Sequence, residues 1–237
     1  MGNKISDYQP SPVNAGKTMY SYQVWDLPTR LFHWILVGLV IFSFVTGKIG
    51  LSAMRYHEWS GFAILVLVVF RVVWGFVGGR QSRFSSFIKA PAAVMRYASS
   101  LFKKDSPPHI GHNPLGGWSI LAMLLSLLIQ AGTGLFANDD ILTEGPLYAL
   151  VSKQTSDWLT GIHHLNQKGL LVLILIHIAA VAFHLIAKRE NLIKPMITGN
   201  KIWHKEIGTT SDNPALALLV VAMVAAAAYV IIYLVFG

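Results

Sequence analysis

Residues 163–187 read HHLNQKGLLVLILIHIAAVAFHLIA. From Gly169 to Ala187 this is a nearly unbroken apolar run, long enough to cross a hydrocarbon core of about 30 Å. Histidines punctuate it, with His163 and His164 at its start and His177 and His184 further in. On a helix the fourteen-residue step from His163 to His177 turns about 1400°, roughly 40° short of four full turns, so both rings point to one side. The same step rises about 21 Å, most of the thickness of a bilayer core. His184 lies seven residues further on nearly the same face, while His164 is turned about 100° away from His163.

The rest of the chain has the same character. Of 237 residues, 54% are hydrophobic and 13% charged, about half the usual charged share, and the mean hydropathy is +0.52. Disorder, a coiled coil and an ordinary water-soluble enzyme are thereby excluded. Four more apolar stretches, Leu31–Thr46, Trp59–Val77, Trp118–Phe136 and Pro214–Phe236, join Gly169–Ala187 to make five expected spans. The fold class is all-α: a polytopic membrane protein with a four-helix transmembrane bundle and a fifth, C-terminal transmembrane helix. Three segments follow: an N-terminal stretch 1–29, a core 30–200, and a linker with the fifth span, 201–237.

Charge orients the chain. Arg80, Arg83, Lys89, Arg96, Lys103 and Lys104 lie between spans two and three, and Lys188, Arg189, Lys194, Lys201 and Lys205 follow span four. The loop between spans three and four instead holds Asp139, Asp140, Glu144 and Asp157 against Lys153. The positive-inside rule puts the basic segments and the N-terminus in the cytoplasm and the C-terminus outside. The net charge of +8 is then an orientation marker with anionic lipid as its counterpart, and nucleic acid is not needed to explain it.

Ionisable groups inside spans are costly and point to function. His33 lies near the cytoplasmic start of span one, His57 at the outer start of span two, and Arg71 deep in span two. His57 and His163 share the outer level; His33 and His177 share the cytoplasmic level. Two cross-span pairs, one above the other, would bracket two flat cofactors inside a bundle. With no cysteine in the chain, thiolate metal sites, iron–sulfur clusters and covalent c-type haem are excluded, and a haem held here is b-type. A zinc hydrolase would need His-Glu-x-x-His, which is absent. A proton pump would need buried acids, and the spans have none. By depth alone, His184 suits His33 as well as His177 does.

At these residues the chain resembles the prokaryotic cytochrome b561 family, which includes the b-type cytochrome subunits of nickel–iron hydrogenases. The matching strings are Arg30-Leu31-Phe32-His33-Trp34, His57-Glu58-Trp59-Ser60-Gly61-Phe62 and Phe70-Arg71-Val72-Val73-Trp74-Gly75-Phe76. Arg83-Phe84, Gly111-His112-Asn113-Pro114-Leu115-Gly116 and the His163–His184 segment complete them. The resemblance covers about residues 24–200. It implies two non-covalent b haems with bis-histidine ligation, the outer by His57 and His163 and the inner by His33 and His177. It also implies a quinone site at the cytoplasmic side, where His184 would bind a carbonyl or relay its proton.

Arg71, fourteen residues from His57, falls at the inner haem's level, where a guanidinium can pair with a propionate or a quinone oxygen. Snorkelling to the surface is the alternative. Arg80 and Arg83 fit propionate contacts or positive-inside charges equally. Gly61, Gly132 and Gly134 would allow close approach of a helix or macrocycle. His109, His112 and His204 lie outside the spans and are not expected to be ligands, though His112 could orient the inner loop.

The expected function is electron transfer across the membrane between quinone and a periplasmic partner, either a c-type cytochrome or a hydrogenase-type subunit, with no catalytic residue assigned. Such a partner would dock on the acidic loop 138–157. Alternatives are a stand-alone superoxide:quinone oxidoreductase and a non-redox membrane anchor. A homodimer stays open.

Overall fold

The computed structural model of the chain describes residues 20–101, 109–203 and 213–236, the last seven of these by backbone only. His204, Lys103, Lys104, Lys205 and most of the N-terminal segment 1–29 fall outside the described residues. Among those described, four helices are long and apolar enough to cross a membrane: α1 (Leu27–Ile49), α2 (Met54–Val77), α5 (Pro114–Gly134) and α6 (Lys153–Ile186). Two short helices, α3 (Phe84–Phe87) and α4 (Pro91–Ser100), lie between α2 and α5. After α6 come α7 (Ile193–Thr198) and α8 (Pro214–Phe236); α8 packs along α2 and touches α1.

Capping side chains set where these helices begin. Asp26 Oδ1 accepts from Thr29 N (2.9 Å) with Pro28 in the first turn of α1. Asn113 Oδ1 accepts from Gly116 N (2.7 Å) with Pro114 following, and Ser152 Oγ accepts from Thr155 N (3.2 Å) at α6. The apolar runs therefore understate the helices. The largest difference is at α6, which starts sixteen residues before Gly169 and is about 51 Å long. Its first turns carry Asp157, His163, His164, Asn166 and Lys168, which break the apolar run without breaking the helix.

The helices form two close pairs, α1 with α2 and α5 with α6, joined along α2 and α5. Helix α6 stands off from α1 and α2. The core between them holds Phe32, Ile64, Val68, Phe70, Trp74, Leu124, Leu127 and Leu170, with Phe70 stacked on Trp74 at 5.8 Å. Outward, the same helices expose Ile35, Ile41, Leu125, Val172, Leu175 and Ile178. Apolar surface in contact with the surroundings rather than buried is what a hydrocarbon solvent permits and water does not.

One end of the bundle is capped by a clasp between distant segments. Strand β1 (Tyr20–Gln23) pairs antiparallel with β2 (Asn200–Trp203), Tyr20 opposite Trp203 and Gln23 opposite Asn200. Val24 N donates to Gly199 O (2.7 Å) and Arg30 Nη1 to Ile197 O (2.6 Å). Gly199 has φ +84° and faces Arg30 and the Trp25 carbonyl so closely that a Cβ would collide. Buried Asp26 ties this clasp to α2: its Oδ2 accepts from Trp74 Nε1 (3.1 Å), Gly79 N (3.2 Å) and Ser82 Oγ (2.7 Å). This is the basic end of the molecule, with Arg80, Arg83, Lys89, Arg96, Lys188, Arg189 and Lys194 around it.

The opposite end carries the acidic loop. Asp139 Oδ1 accepts from the backbone N–H groups of Ile141, Leu142 and Thr143 (2.8–2.9 Å), and these bonds hold its carboxyl far below the usual carboxylate range. Asn138 pairs with Glu144 and reaches Ser156 Oγ (2.6 Å) on α6. Lys153 bridges Asp140 and Asp157.

Candidate cofactor site

At the acidic-loop end, His57 on α2 faces His163 on α6 with ring centroids 6.2 Å apart and planes at 84°. Two imidazoles on opposite sides of one metal, each bonded at about 2.0 Å, place their centroids about 6 Å apart. Each ring is fastened through Nδ1 to a main-chain carbonyl, His57 to Ser43 O (2.8 Å) and His163 to Gln130 O (2.9 Å). A carbonyl only accepts, so Nδ1 is the protonated nitrogen and Nε2 carries the lone pair in both rings. That is the tautomer and orientation a metal ligand needs. Glycines back both rings: a Cβ on Gly47 would sit 2.9 Å from His57 Nδ1, and one on Gly134 3.1 Å from His163 Cε1. His164 is exposed, so α6 presents only His163.

Inside the bundle from His163 runs a directed chain of polar contacts. Ser126 Oγ donates to Asn166 Oδ1 (3.0 Å), and Asn166 Nδ2 donates to Ser126 O (2.9 Å) and Gln130 Oε1 (2.7 Å). Gln130 Nε2, so oriented, donates to His163 Nε2 (3.0 Å). Three polar side chains in an apolar interior are spent on fixing this one ring.

At the basic end, His33 on α1 and His177 on α6 are half-buried and within electrostatic reach of each other. Arg71 is buried, lying over Phe84 at 5.4 Å and Phe87 at 5.9 Å rather than snorkelling to the surface. His112, immediately before α5, packs on Trp25 (4.4 Å) and Phe87 (4.9 Å). Burial, then the charge of Arg71, then His177 push its pKa down to about 3, so the ring is neutral. Five side-chain atoms at this end are buried without a hydrogen-bond partner among the described residues: Tyr22 Oη and Arg30 Nε in the clasp, and His33 Nδ1, Arg71 Nη1 and His112 Nδ1 beside it.

The remaining expected residues separate. His184 is buried, and its Nδ1 meets Glu190 Oε2 (3.0 Å). Arg83 Nε donates to Gly78 O (2.8 Å) at the end of α2, and Arg80 is exposed. Of the three glycines, Gly134 closes on His163 while Gly61 and Gly132 border open space. Among the described residues no three of His, Cys, Asp and Glu cluster as a metal site, so the histidines are arranged in pairs.

Comparison with known proteins assigns the sequence to a family. The sequence profile described as prokaryotic cytochrome b561 matches residues 24–199. The chain belongs to the prokaryotic cytochrome b561 family. Among similar curated proteins are probable Ni/Fe-hydrogenase B-type cytochrome subunits of Bradyrhizobium diazoefficiens (26% identical, covering 75% of this chain and 85% of the relative) and Rhodobacter capsulatus (24%, 76% and 81%). That of Escherichia coli K12 is 28% identical over 48% of this chain and 59% of its own length. No solved structure matches. As a member of this family, the chain is a multi-pass, b-type membrane cytochrome that transfers electrons.

For a b561 cytochrome the donor set fits haem. His57 is pre-turned with Nε2 free of its proton; His163 Nε2 also carries its lone pair, but accepts from Gln130 Nε2 (3.0 Å), a hydrogen bond that haem ligation would displace. The orphaned Arg71 and His112 atoms suit the anionic edge of a macrocycle. Sequence reasoning set His112 aside because it lies outside the spans. The signal was the Asn113–Pro114 helix start beside it, which fixes His112 at the bundle's end, level with Arg71. It also missed Ser126, Gln130 and Asn166, uncharged polar residues inside apolar runs, and Gly47.

Proposed function

We propose that the chain is a two-haem electron conduit of the inner membrane, linking quinone at the cytoplasmic, basic end to a periplasmic redox protein at the acidic-loop end. The observation supporting this reading is that His57 on α2 and His163 on α6 face each other at 6.2 Å, while His177, fourteen residues further along α6, lies within electrostatic reach of His33 on α1. Bound haem b would supply a one-electron Fe(III)/Fe(II) couple at each level, and two imidazoles per iron would leave no open position for oxygen chemistry. His57 and His163 would hold one haem, with Ser43 O and Gln130 O fixing their rings, and His33 and His177 would hold the other. Arg71 would neutralise a propionate at the basic end, and the neutral His112 ring would donate a hydrogen bond to one.

The similar proteins named as hydrogenase subunits support a hydrogenase-type partner, with a c-type cytochrome as the other docking class. The acidic loop, with Ile141 and Leu142 exposed at its tip, offers such a partner an apolar contact ringed by carboxylates. Quinone would lie near Arg71 and His184. Helix α8 adds a fifth crossing that brings the C-terminus to the periplasm and shields α2 from lipid. The test is reduced-minus-oxidised spectroscopy of the purified chain and of single replacements of His33, His57, His163, His177 and His184. Two low-spin b haems in the parent, one lost with each of the first four variants and both kept in His184→Leu, is the expected result. A colourless protein would overturn the reading in favour of a non-redox anchor.

A further inference from the structure

Helix α6 ends in a way its sequence does not favour. The Glu190 N–H returns to His184 O (2.9 Å), while Ala187 and Lys188 donate to Phe183 O. This seven-residue closure passes through a left-handed residue just before Glu190, a conformation usually given to glycine. Here it is Arg189, at φ +53°. The strained turn folds Glu190 back over His184, where Oε2 meets Nδ1 at 3.0 Å. Its other oxygen, Oε1, accepts from Lys201 Nζ (2.7 Å) on β2, and Lys201 donates again to His109 O (2.6 Å). The clasp that closes the basic end thus also anchors this carboxylate.

The arrangement settles the proton's place on His184. Burial raises the pKa of Glu190, but the Lys201 hydrogen bond and charge, followed by His184, outweigh it and keep the carboxyl below its ordinary value. A carboxylate only accepts, so Nδ1 of His184 is the donor and Nε2 is left to exchange a proton elsewhere. The imidazole is nearly enclosed, with 10% of its side chain exposed, whereas Glu190 is 26% exposed and is the member that meets water. The groups around the pair are Lys201 from β2, Tyr97 from α4, which senses the Glu190 charge, His109, and Lys188 and Arg189 from the same turn.

We propose that Glu190 and Lys201 are positioning residues that make His184 the proton-exchanging group for quinone at the basic end. The inference rests on the quinone reading above and extends it to named residues. In the oxidising direction, one quinol and two ferric haems give one quinone, two ferrous haems and two protons. For each proton the quinol O–H bond breaks and an N–H bond forms at His184 Nε2. The imidazolium releases its Nδ1 proton to water along Glu190, and the neutral ring returns from the Nε2–H to the Nδ1–H tautomer before taking the second. Reduction of quinone runs the same steps backwards.

The experiment mixes the purified two-haem chain with menadiol and follows haem reduction by stopped flow from pH 5.5 to 9. Dithionite-reduced spectra serve as the check that both haems are present. Glu190→Gln is expected to slow menadiol-driven reduction about ten- to a hundredfold and move the pH profile, with dithionite spectra unchanged. Glu190→Asp should recover part of the rate, and Lys201→Gln should give a smaller loss in the same direction. A parental rate and pH profile in both Glu190→Gln and Lys201→Gln would overturn the inference while leaving the quinone reading intact. A parent that dithionite reduces and menadiol does not would instead overturn the quinone reading, and this inference with it.

Discussion

The two histidine pairs share one helix and one chemistry but are finished differently. At the acidic-loop end the protein satisfies its own ligands: each Nδ1 has a carbonyl, each ring a glycine behind it, and His163 a relay of Gln130, Asn166 and Ser126. At the basic end His33 Nδ1, Arg71 Nη1 and His112 Nδ1 are buried with nothing to bond to among the described residues. An unpaired buried polar group costs about 1–3 kcal/mol, more for a charged one. One site is therefore complete as protein, and the other becomes complete with groups that a ligand brings. On the proposed reading, the first would hold its haem rigidly, and the second would couple to an anion or to a polar molecule such as quinone.

The largest expected effect separates the pairs outright. His163→Ala should remove one b haem signal and leave the other, read as half the haem per chain and a single remaining potentiometric wave. Loss of both signals would show that the two ends are not independent. Next comes Arg71→Leu, which takes a buried positive charge from the basic end. The haem there should fall in midpoint potential by on the order of 50–100 mV, because the ferric state is no longer opposed, while the other haem holds its value. An equal shift in both would erase the contrast.

These two experiments touch residues legible in the sequence at different strengths. His33, His57, His163 and His177 stand out because ionisable side chains in apolar runs are expensive, and the fourteen-residue step gives them a common phase. Four of the spans are legible for the same reason. Helix α6 was read sixteen residues short because hydropathy registers lipid contact, not helicity, and polar first turns capped by Ser152 escape it. The clasp of β1 with β2 was invisible, since four-residue strands about 180 positions apart carry no local signal for pairing. His112 and Glu190 gain their meaning only from that end of the fold, where neither the spans nor a motif reaches.

A subtler test addresses the rings' backing. Gly47→Ala and Gly134→Ala should each tilt one ligand at the acidic-loop end and weaken haem retention there about ten- to a hundredfold, visible as loss of that haem during detergent washing. Asn166→Leu, which frees Gln130 from its hold on the His163 Nε2 lone pair without touching the Nδ1 anchor, should leave haem retention there at the parental level or slightly above it. The smallest effect concerns pH at the basic end. Glu190 is held below its ordinary value, so its link to His184 and Lys201 is fully present above the unfolded carboxyl's pKa and is lost as pH falls through the folded one. Hydrogen exchange at the Glu190 amide should therefore gain protection, relative to intrinsic rates, on going from pH 4 to pH 7, while amides around His57 stay level.

Helix α6 has a consequence for how this molecule can vary. His163 and His177 belong to one uninterrupted rod from Lys153 to Ile186. Inserting a single residue between them would swing His177 about 100° off the seam and lift it about 1.5 Å. In the proposed conduit, the gap an electron crosses therefore could not be adjusted by small amounts. It can change only in steps close to a whole helical turn, about 5.4 Å, each a large jump for electron tunnelling. The backbone acts as a ruler with coarse divisions, leaving potential, rather than distance, as the property that substitutions around the rings can tune.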